Sequence, residues 1–357
     1  MLDLFFTVAD EPAALTGEFV LVRVSRRAMA TTFEIAIPVG AHPEPIAAAT
    51  AALDLIDELE DQMTVYREDS EVSRLNAVAS DRPVEVESQL FELFTRCGGW
   101  THETEGAFDI ATGAIIKEWG FFRREGRVPS PLERIEAMHR TGFRHVMLNP
   151  ETRTVKYRVP GLEINLGAVG KGYALDRAAH LLRTEWGVTS ALLHGGGSSV
   201  YAIGGPPGDP RGWPIRLRHP SDTNTSLGTV YLRNRGLGTS AATFQFFEYK
   251  GQKLGHLLDP RIGWPAQGIQ STSVTATTAA EADAMSTAAF VLGMAGTEKL
   301  LRLKPGLGAV MLADLASGGC QPTVLTGKEQ PADADRSPRT FNLAPESYSP
   351  AHADSHT

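Results

Sequence analysis

The sequence is short of cysteine, of basic runs and of long apolar stretches. Only two of its 357 residues are cysteines, Cys97 and Cys320, so neither a disulfide framework nor a cysteine-rich zinc site is expected. No run of Lys and Arg exceeds two residues and the formal net charge is −8, which argues against a nucleic-acid surface. No apolar segment approaches the length of a membrane span.

The N-terminal residues lack the features of an export signal. The segment MLDLFFTVADEPAAL has no basic start, only a very short apolar run, and no cysteine that a lipid could modify. From these residues we expect a cytoplasmic protein.

Several familiar catalytic motifs are also missing. The ten histidines form no HExxH pattern and no GxSxG motif occurs, which argues against a zinc hydrolase and a serine hydrolase. The segment 167–172 suggests a phosphate-binding P-loop, but Asn165 replaces the first glycine and Gly172 replaces the required Ser or Thr. The dinucleotide motif GxGxxG is absent as well.

Hydrophobic residues make up 42% of the chain, which is enough for a substantial core. A doubly wound sheet alternates strands with helices, whereas this chain has many more predicted strands than helices. We therefore predict an α+β fold with mixed, largely antiparallel sheets and packed helices. We predict an N-terminal arm over residues 1–17, one domain over 18–325, and a disordered tail over 326–357. The tail is rich in Pro, Asp and Ser and poor in apolar residues.

Hydrophobic periodicity and turn residues place the individual elements. The predicted helices are 46–63, 86–102, 173–186, 277–293 and 296–302, with a helical turn at 70–76. The predicted strands are 19–24, 31–37, 146–148, 154–157, 162–166, 191–194, 213–218, 228–233, 244–249, 255–258, 271–277 and 308–312. Residues 26–31 are predicted to form a turn, and no element is assigned to the charged residues 122–142.

The helix at Thr277–Gly293, TTAAEADAMSTAAFVLG, combines an apolar surface with one acid. Thr278 is a good N-cap, and the lack of polar side chains from 284 to 292, other than a Ser and a Thr, predicts burial. Asp283 and Thr287, four residues apart, project from one face. Such a pair of hard oxygens suits Mg²⁺ when phosphates and water supply the other ligands. Alternatively, Asp283 interacts with the helix dipole and Thr287 bonds back to a carbonyl.

Two further stretches are ambiguous by themselves. The glycine-rich turn 167–172 carries Lys171 at a helix start, which describes either an anion site or a tight turn with a surface lysine. His256 ends an apolar strand and is either a core residue or a general base.

Seven further motifs follow one another over roughly residues 24–312. They are AMATTFEI around Met29, MTVYREDSEVSRLN (63–76), GAFDIATG (106–113) followed by WGF (119–121), INLGAVGKGYALD (164–176), LLHGGGSSVYAIGG (192–205), TSAATFQFFEYKGQKLGHLLDPRIG (239–263) and EADAMSTAAFVLG (281–293). In this order they resemble the motifs of the ApbE-type FAD:protein FMN transferases. The resemblance implies an α+β core related to the tunnelling fold. It also implies that FAD is the substrate, that Mg²⁺ is needed, and that FMN passes to a Thr hydroxyl of an acceptor protein while AMP is released.

The resemblance also implies roles for particular residues. Asp283, Thr287 and the backbone carbonyl of Ala168 would bind the metal, and His256 would accept the proton of the acceptor hydroxyl. The FAD contacts would be Met29, Tyr66, Ala107, Phe108, Asp109, Asn165, Lys171, His256 and Leu257. The acceptor would carry a site of the Ser/Thr-Gly/Ala-Ala-Thr type.

Four positions depart from the family pattern. Asn165 replaces a common Asp, His194 an Asn, Ala241 a Gly and Ile262 a Thr. The sequence leaves two alternatives to a transferase, which are an FAD pyrophosphatase that releases FMN and AMP, and an FAD-binding protein without turnover.

Overall fold

A computed structural model of the chain describes residues 6–8, 19–123, 125–241, 246–314, 320–327 and 341–342. Its helices are α1 (Pro45–Met63), α2 (Glu71–Val78), α3 (Ser88–Glu103), α4 (Gly113–Glu118), α5 (Pro131–His139), α6 (Gly170–Thr184) and α7 (Ala279–Leu303). Its strands are β1 (Phe6–Val8), β2 (Leu21–Ala28), β3 (Thr31–Pro38), β4 (Val84–Glu85), β5 (Val146–Asn149), β6 (Thr154–Tyr157), β7 (Ala191–Gly195), β8 (Ser199–Ile203), β9 (Trp213–Arg218), β10 (Ser226–Leu232), β11 (Arg235–Ala241), β12 (Phe246–Tyr249), β13 (Gln252–Gly255), β14 (Leu258–Asp259), β15 (Trp264–Pro265), β16 (Ile269–Ala276), β17 (Gly308–Asp314), β18 (Cys320–Thr326) and β19 (Phe341–Asn342).

An eight-stranded sheet organises the molecule, in the order β18-β17-β16-β11-β8-β7-β3-β2. Every neighbouring pair in it is antiparallel. The predicted α+β class with largely antiparallel sheets is therefore confirmed.

Helices α1, α6 and α7 cover one face of this sheet. Helix α7 lies against β11 and β16, α6 lies against β7 and β8, and α1 packs beside α6. The main hydrophobic core lies between these helices and the sheet, with Phe33, Ile35, Ile56 and Phe290 fully buried. This packing aims the polar side chains of α7 at the start of α6.

A four-stranded sheet, β1-β9-β10-β19, covers the opposite face. Trp213 and Ile215 on β9 pack with Leu192 on β7 and Leu237 on β11 to form a second core. A third apolar cluster joins α4, α5 and the β12–β13 hairpin around the buried Trp119. The central sheet is thus buried on both sides, which is why its inner strands carry few charged residues.

Local signals account for the helix starts. Ser70 accepts a hydrogen bond from Ser73 N–H at the start of α2, and Thr278 accepts one from Glu281 N–H at the start of α7. Ser130 and Glu133 form a capping box, and Pro131 occupies the first turn, so α5 begins inside the charged segment to which the sequence assigned no element.

Some element predictions were wrong. Strand β2 continues to Ala28, so the predicted turn at 26–31 shrinks to Met29 and Ala30. Residues 162–166 form no strand, although Asn165 N–H donates to the carbonyl of Ile110. The predicted helix at 296–302 belongs to α7, which is broken at Gly293 by a φ of 69°.

Strands β8 and β11 were missed altogether. Strand β11, RGLGTSA, contains two glycines and an alanine, which have low strand propensity, and no run of large apolar residues. It is nevertheless a central strand, because its small residues let α7 pack close against it.

The predicted arm and tail lie mostly outside the described residues. Within them, Phe6–Val8 pairs with β9 and Phe341–Asn342 pairs with β10. Across the part of the chain that the structure describes, no helix has the length and apolar character needed to cross a membrane.

Candidate functional site

The carboxylate of Asp283 lies buried between three elements. Its Oδ2 accepts a 2.8 Å hydrogen bond from Gly172 N–H at the start of α6. The Ser199 hydroxyl, at the start of β8, lies 2.8 Å from both carboxylate oxygens. Asp283 therefore faces the glycine-rich turn that carries Lys171.

Burial raises the pKa of Asp283 to about 6, while the positive charge of Lys171 and the bonds from Ser199 and Gly172 act to lower it. Helix α6 begins at Gly170 without a side-chain cap, three residues earlier than predicted, so Lys171 lies in its first turn. A buried acid, a lysine and a helix N-terminus thus meet at one point, an arrangement that can bind a phosphate together with a cation.

The N-terminus of α7 is satisfied by a different acid. The Asp176 carboxylate, on α6, accepts hydrogen bonds from Ala279 N–H at 2.7 Å and Ala280 N–H at 2.9 Å. The Asp283 carboxylate instead accepts hydrogen bonds from Gly172 on α6 and Ser199 on β8. The packing therefore does not favour the alternative in which Asp283 interacts with the dipole of its own helix.

Thr287 lies one turn after Asp283, half-buried, beside β11. Its Oγ1 is 3.2 Å from the Ser240 hydroxyl, which is also 2.9 Å from the Ser286 hydroxyl. Ser286 donates back to the carbonyl of Asp283 at 2.9 Å. Hydroxyl groups of α7 and β11 are thus linked to one another within one turn of the acid. Ala168, in the turn before α6, is half-buried beside the core.

These groups are hard oxygen donors, but they include a single carboxylate. Within the described ranges, no cluster of three or more His, Cys, Asp and Glu side chains could hold a metal ion. A site with one carboxylate and one hydroxyl matches Mg²⁺, which commonly keeps water and substrate phosphates as its other ligands. The donor set therefore fits magnesium shared with a phosphate ligand and does not fit a metal held by protein alone.

The turn at Met29 lies at the same end of the central sheet. Met29 and Ala30 have φ values of 49° and 59°, which β-hairpin turns require but side chains other than glycine seldom adopt. The neighbouring β7–β8 turn is tied to it, because Gly196 N–H donates to the carbonyl of Thr32 at 2.9 Å. That turn leads directly into Ser199, so Met29 and Asp283 belong to adjoining segments.

The loop containing Ala107, Phe108 and Asp109 is held from within. The Asp109 carboxylate accepts hydrogen bonds from Ala111 N–H and Phe143 N–H, both at 2.7 Å, and burial raises its pKa. The side chains of Ala107 and Phe108 are fully buried. Only the backbone of this loop is therefore placed to contact a ligand, and the side chains keep its shape.

Asn165 links this loop to the glycine-rich turn. Its N–H donates to the Ile110 carbonyl, and its Oδ1 accepts from Gly167 N–H, both at 2.8 Å. Asn76 fixes the preceding residue, because its side chain bonds both the N–H and the carbonyl of Ile164. Asn165 thus acts within the turn, where its neutral amide oxygen suffices.

Tyr66 and His256 each contact one of two consecutive phenylalanines. Tyr66 is exposed and stacks on Phe122 with ring centroids 4.8 Å apart, and Phe121 meets the His256 ring edge-on at 6.4 Å. The carbonyl of Leu257 accepts from Ala266 N–H at 2.9 Å. Tyr66 and His256 therefore flank two consecutive phenylalanines, although they are far apart in sequence.

The sequence reasoning assigned no role to four residues that build this site, namely Asn76, Asp176, Ser199 and Ser240. All four fall inside the motifs quoted above, so those motifs were the available signal. Their roles depend on which backbone groups they meet in three dimensions. The FAD and metal roles of the predicted residues remain predictions.

The fold and this site define an α+β protein with an acid–lysine centre suited to a phosphate-bearing ligand and a cation. The model of the ApbE family matches residues 29–311, which is most of the chain. The chain belongs to the ApbE family.

Relatives and solved structures agree with this assignment. The chain is 34% identical over 286 residues to an FAD:protein FMN transferase of Treponema pallidum, covering 75% of this chain and 78% of the relative. It is 31% identical to one of Escherichia coli strain K12, covering 73% and 74% of the two chains. The ApbE protein of Thermotoga maritima superposes with a TM-score of 0.75 at 28% identity, covering 87% of this chain and 97% of the other. The Pseudomonas stutzeri flavinyl transferase ApbE also gives 0.75, at 25% identity, covering 87% and 96%.

Proposed function

We propose that this protein transfers FMN from FAD to a Thr hydroxyl of an acceptor protein, with Mg²⁺ bound, and releases AMP. The proposal rests on one observation above the others, the buried Asp283 carboxylate aimed at the turn that carries Lys171. The names of the relatives support flavin transfer to a protein. Mg²⁺, the Thr acceptor and AMP are the finer parts of the proposal.

Asp283, Thr287 and the Ala168 carbonyl would hold Mg²⁺, which when bound would neutralise charge on the pyrophosphate oxygens. Lys171 adds a positive charge beside Asp283, and the first turn of α6 offers backbone N–H groups to a phosphate. These groups position the pyrophosphate and stabilise the negative charge that develops on it.

In the reaction, the acceptor oxygen attacks the phosphorus of the FMN half of FAD. A new P–O bond joins FMN to the acceptor, and the P–O bond to the AMP phosphate breaks with its electron pair leaving on AMP. The hydroxyl proton passes to a ring nitrogen of His256, which is half-buried next to Phe121. Such a base contributes about 10²–10⁴ in rate.

The test is to incubate the protein with FAD and Mg²⁺, with and without a peptide that ends in Ser/Thr-Gly-Ala-Thr. With the peptide present, we expect AMP and a peptide whose mass has increased by FMN. Without the peptide we expect no AMP, and with EDTA we expect neither product. AMP without peptide would identify a pyrophosphatase, and bound FAD without AMP would identify a flavin-binding protein. Either outcome would overturn the proposal.

Asp283→Asn tests the acid itself. Loss of a residue that hydrogen-bonds to a metal ligand typically lowers metal affinity or activity about 10–100-fold. Removing the charge of a ligand itself should therefore lower turnover by about 10²-fold or more. The circular dichroism spectrum and melting transition should stay cooperative, because Asn can still accept from Gly172 or Ser199. Asp314→Asn, at an exposed strand end, is the matched control and should keep full activity. Full turnover by Asp283→Asn would remove Asp283 from the metal site.

A further inference from the structure

An open groove of about 920 Å³ lies beside the Tyr66–Phe122 stack. Its walls come from the loop at 65–68, from α2 and from the residues leading into β4. Apolar side chains line part of it, including Val65, Val78, Val84 and Phe122. The groove therefore offers an apolar floor that reaches the Tyr66–Phe122 stack.

Three of the six charged residues that line the groove are already paired. Arg67 forms an ion pair with Asp61 at 2.6 Å, and Glu85 pairs with Arg153 at 2.9 Å. The Glu71 carboxylate accepts from Gln62 and from a backbone N–H. These groups are satisfied within the chain and do not require a ligand.

Arg74 and Arg82 differ from these groups. Both are exposed, both line the groove, and among the described residues neither guanidinium has an ion-pair or hydrogen-bond partner. One unpaired carboxylate of the lining, Glu68, lies on the loop next to Tyr66. Because α2 is about 12 Å long at 1.5 Å per residue, Arg82 lies past its far end from that loop. The acidic groups of a molecule bound in the groove would therefore be favoured near Arg82 and disfavoured near Tyr66.

We infer that this groove docks a segment of the acceptor protein, with acidic side chains at Arg74 and Arg82 and an apolar side chain on the floor. The inference rests on the proposed function. The acceptor hydroxyl belongs to a Thr within a polypeptide, so the flanking segment needs an open path along the surface toward the base. Phe122 lines the groove and stacks on Tyr66, and the residue before it in the chain, Phe121, contacts the ring of His256.

The alternative occupant is FAD itself, since guanidinium groups also bind phosphates. The buried acid–lysine site already provides for the pyrophosphate, whereas Arg74 and Arg82 are exposed and suit long-range attraction of an acidic partner. The two occupants predict effects on different kinetic constants.

The test compares wild-type protein with the double variant Arg74→Glu/Arg82→Glu. The substrates are two acceptor peptides with the same Ser/Thr-Gly-Ala-Thr end, one preceded by Asp residues and one by Asn residues. We expect the KM for the acidic peptide to rise about tenfold or more in the double variant, with the KM for FAD and for the Asn peptide changing less than about twofold. The same loss should follow when salt is raised with wild-type protein. Arg302→Glu, an exposed reversal on α7 outside the groove, should change nothing.

A direct measurement separates this inference from the proposed function. Fluorescence anisotropy of the labelled acidic peptide reports docking without turnover. Binding to wild-type protein that is lost in the double variant supports the groove even if no FMN is transferred. Transfer with unchanged KM and unchanged binding leaves the function intact and overturns the docking surface. A higher KM for FAD instead would assign the groove to FAD and also overturn it.

Discussion

Two acids near the start of α7, the half-buried Asp176 and the buried Asp283, accept hydrogen bonds from different groups. Asp176 accepts the helix's first free N–H groups, while Asp283 turns away from its own helix toward Ser199 and Gly172. The sequence identified Asp283 as an acid in apolar surroundings but could not say which group it meets. Asp176 stood in a quoted motif without a role, because its partners lie about a hundred positions away in the chain.

Burial raises the pKa of Asp176 to about 7, well above its ordinary value of 3.8, although its two backbone hydrogen bonds act to lower it. Folding therefore favours the protonated form, and the stability linked to this group is present below pH 4 and lost as pH rises toward 7. In Asp176→Asn that loss is absent. We expect the unfolding free energy of wild type, relative to the variant, to fall by up to about 1.4 kcal/mol per pH unit in this window.

The measurement is urea unfolding of both proteins from pH 4 to pH 8. The variant also loses one carboxylate hydrogen bond, which shifts its unfolding free energy by the same amount at every pH. This shift does not affect the test, because the test uses only how the difference in unfolding free energy between the two proteins changes with pH. Parallel curves across the whole range would contradict the raised pKa.

At the scale of elements, the site depends on how closely α7 approaches β11. A Cβ at Gly238 would come within 2.5 Å of the backbone carbonyl carbon of Ala282 and the N atom of Asp283. The position therefore excludes any side chain, since a helix backbone cannot move aside locally. The poor strand propensity of β11, which hid it from sequence reasoning, is a consequence of this requirement.

Gly238→Ala should push α7 away from β11 and destabilise the protein by about 1–3 kcal/mol. Because Asp283 moves with the helix backbone, FAD turnover should fall more than the loss of folded protein explains. Gly99→Ala is the matched control, since a Cβ at this exposed position of α3 meets no atom within 4 Å and should stabilise by about 0.5–1 kcal/mol. Thermal melts and turnover per folded molecule are the readouts, and equal melting temperatures for the two variants would refute the close approach.

At the scale of the whole molecule, the central sheet has a working face and a supporting face. The helices that carry Lys171 and Asp283 lie on one side, and the β9–β10 sheet with its buried Trp213 lies on the other. The supporting face contributes hydrophobic burial and contains none of the predicted site residues. Substitutions in the core of the supporting face should therefore reduce stability without changing the kinetic constants for FAD.

Trp213→Ala removes a fully buried side chain, whose indole N–H donates to the Ile203 carbonyl at 3.2 Å. We expect a loss of about 3–5 kcal/mol in unfolding free energy. Under conditions where the variant remains folded, its KM for FAD should equal that of wild type. A changed KM with little loss of stability would show that this face belongs to the site.

Sequence patterns were sufficient for the α+β class, for most helices, and for the residue types that the site brings together. Periodicity and caps act between neighbours in the chain, so α1, α3 and the start of α7 could be recognised locally. The tertiary structure alone decided that β11 is central and that Asp176 rather than Asp283 accepts the first N–H groups of α7. It also decided that Tyr66 and His256 contact consecutive phenylalanines. Those outcomes depend on contacts between residues distant in sequence, whose energies no local pattern contains.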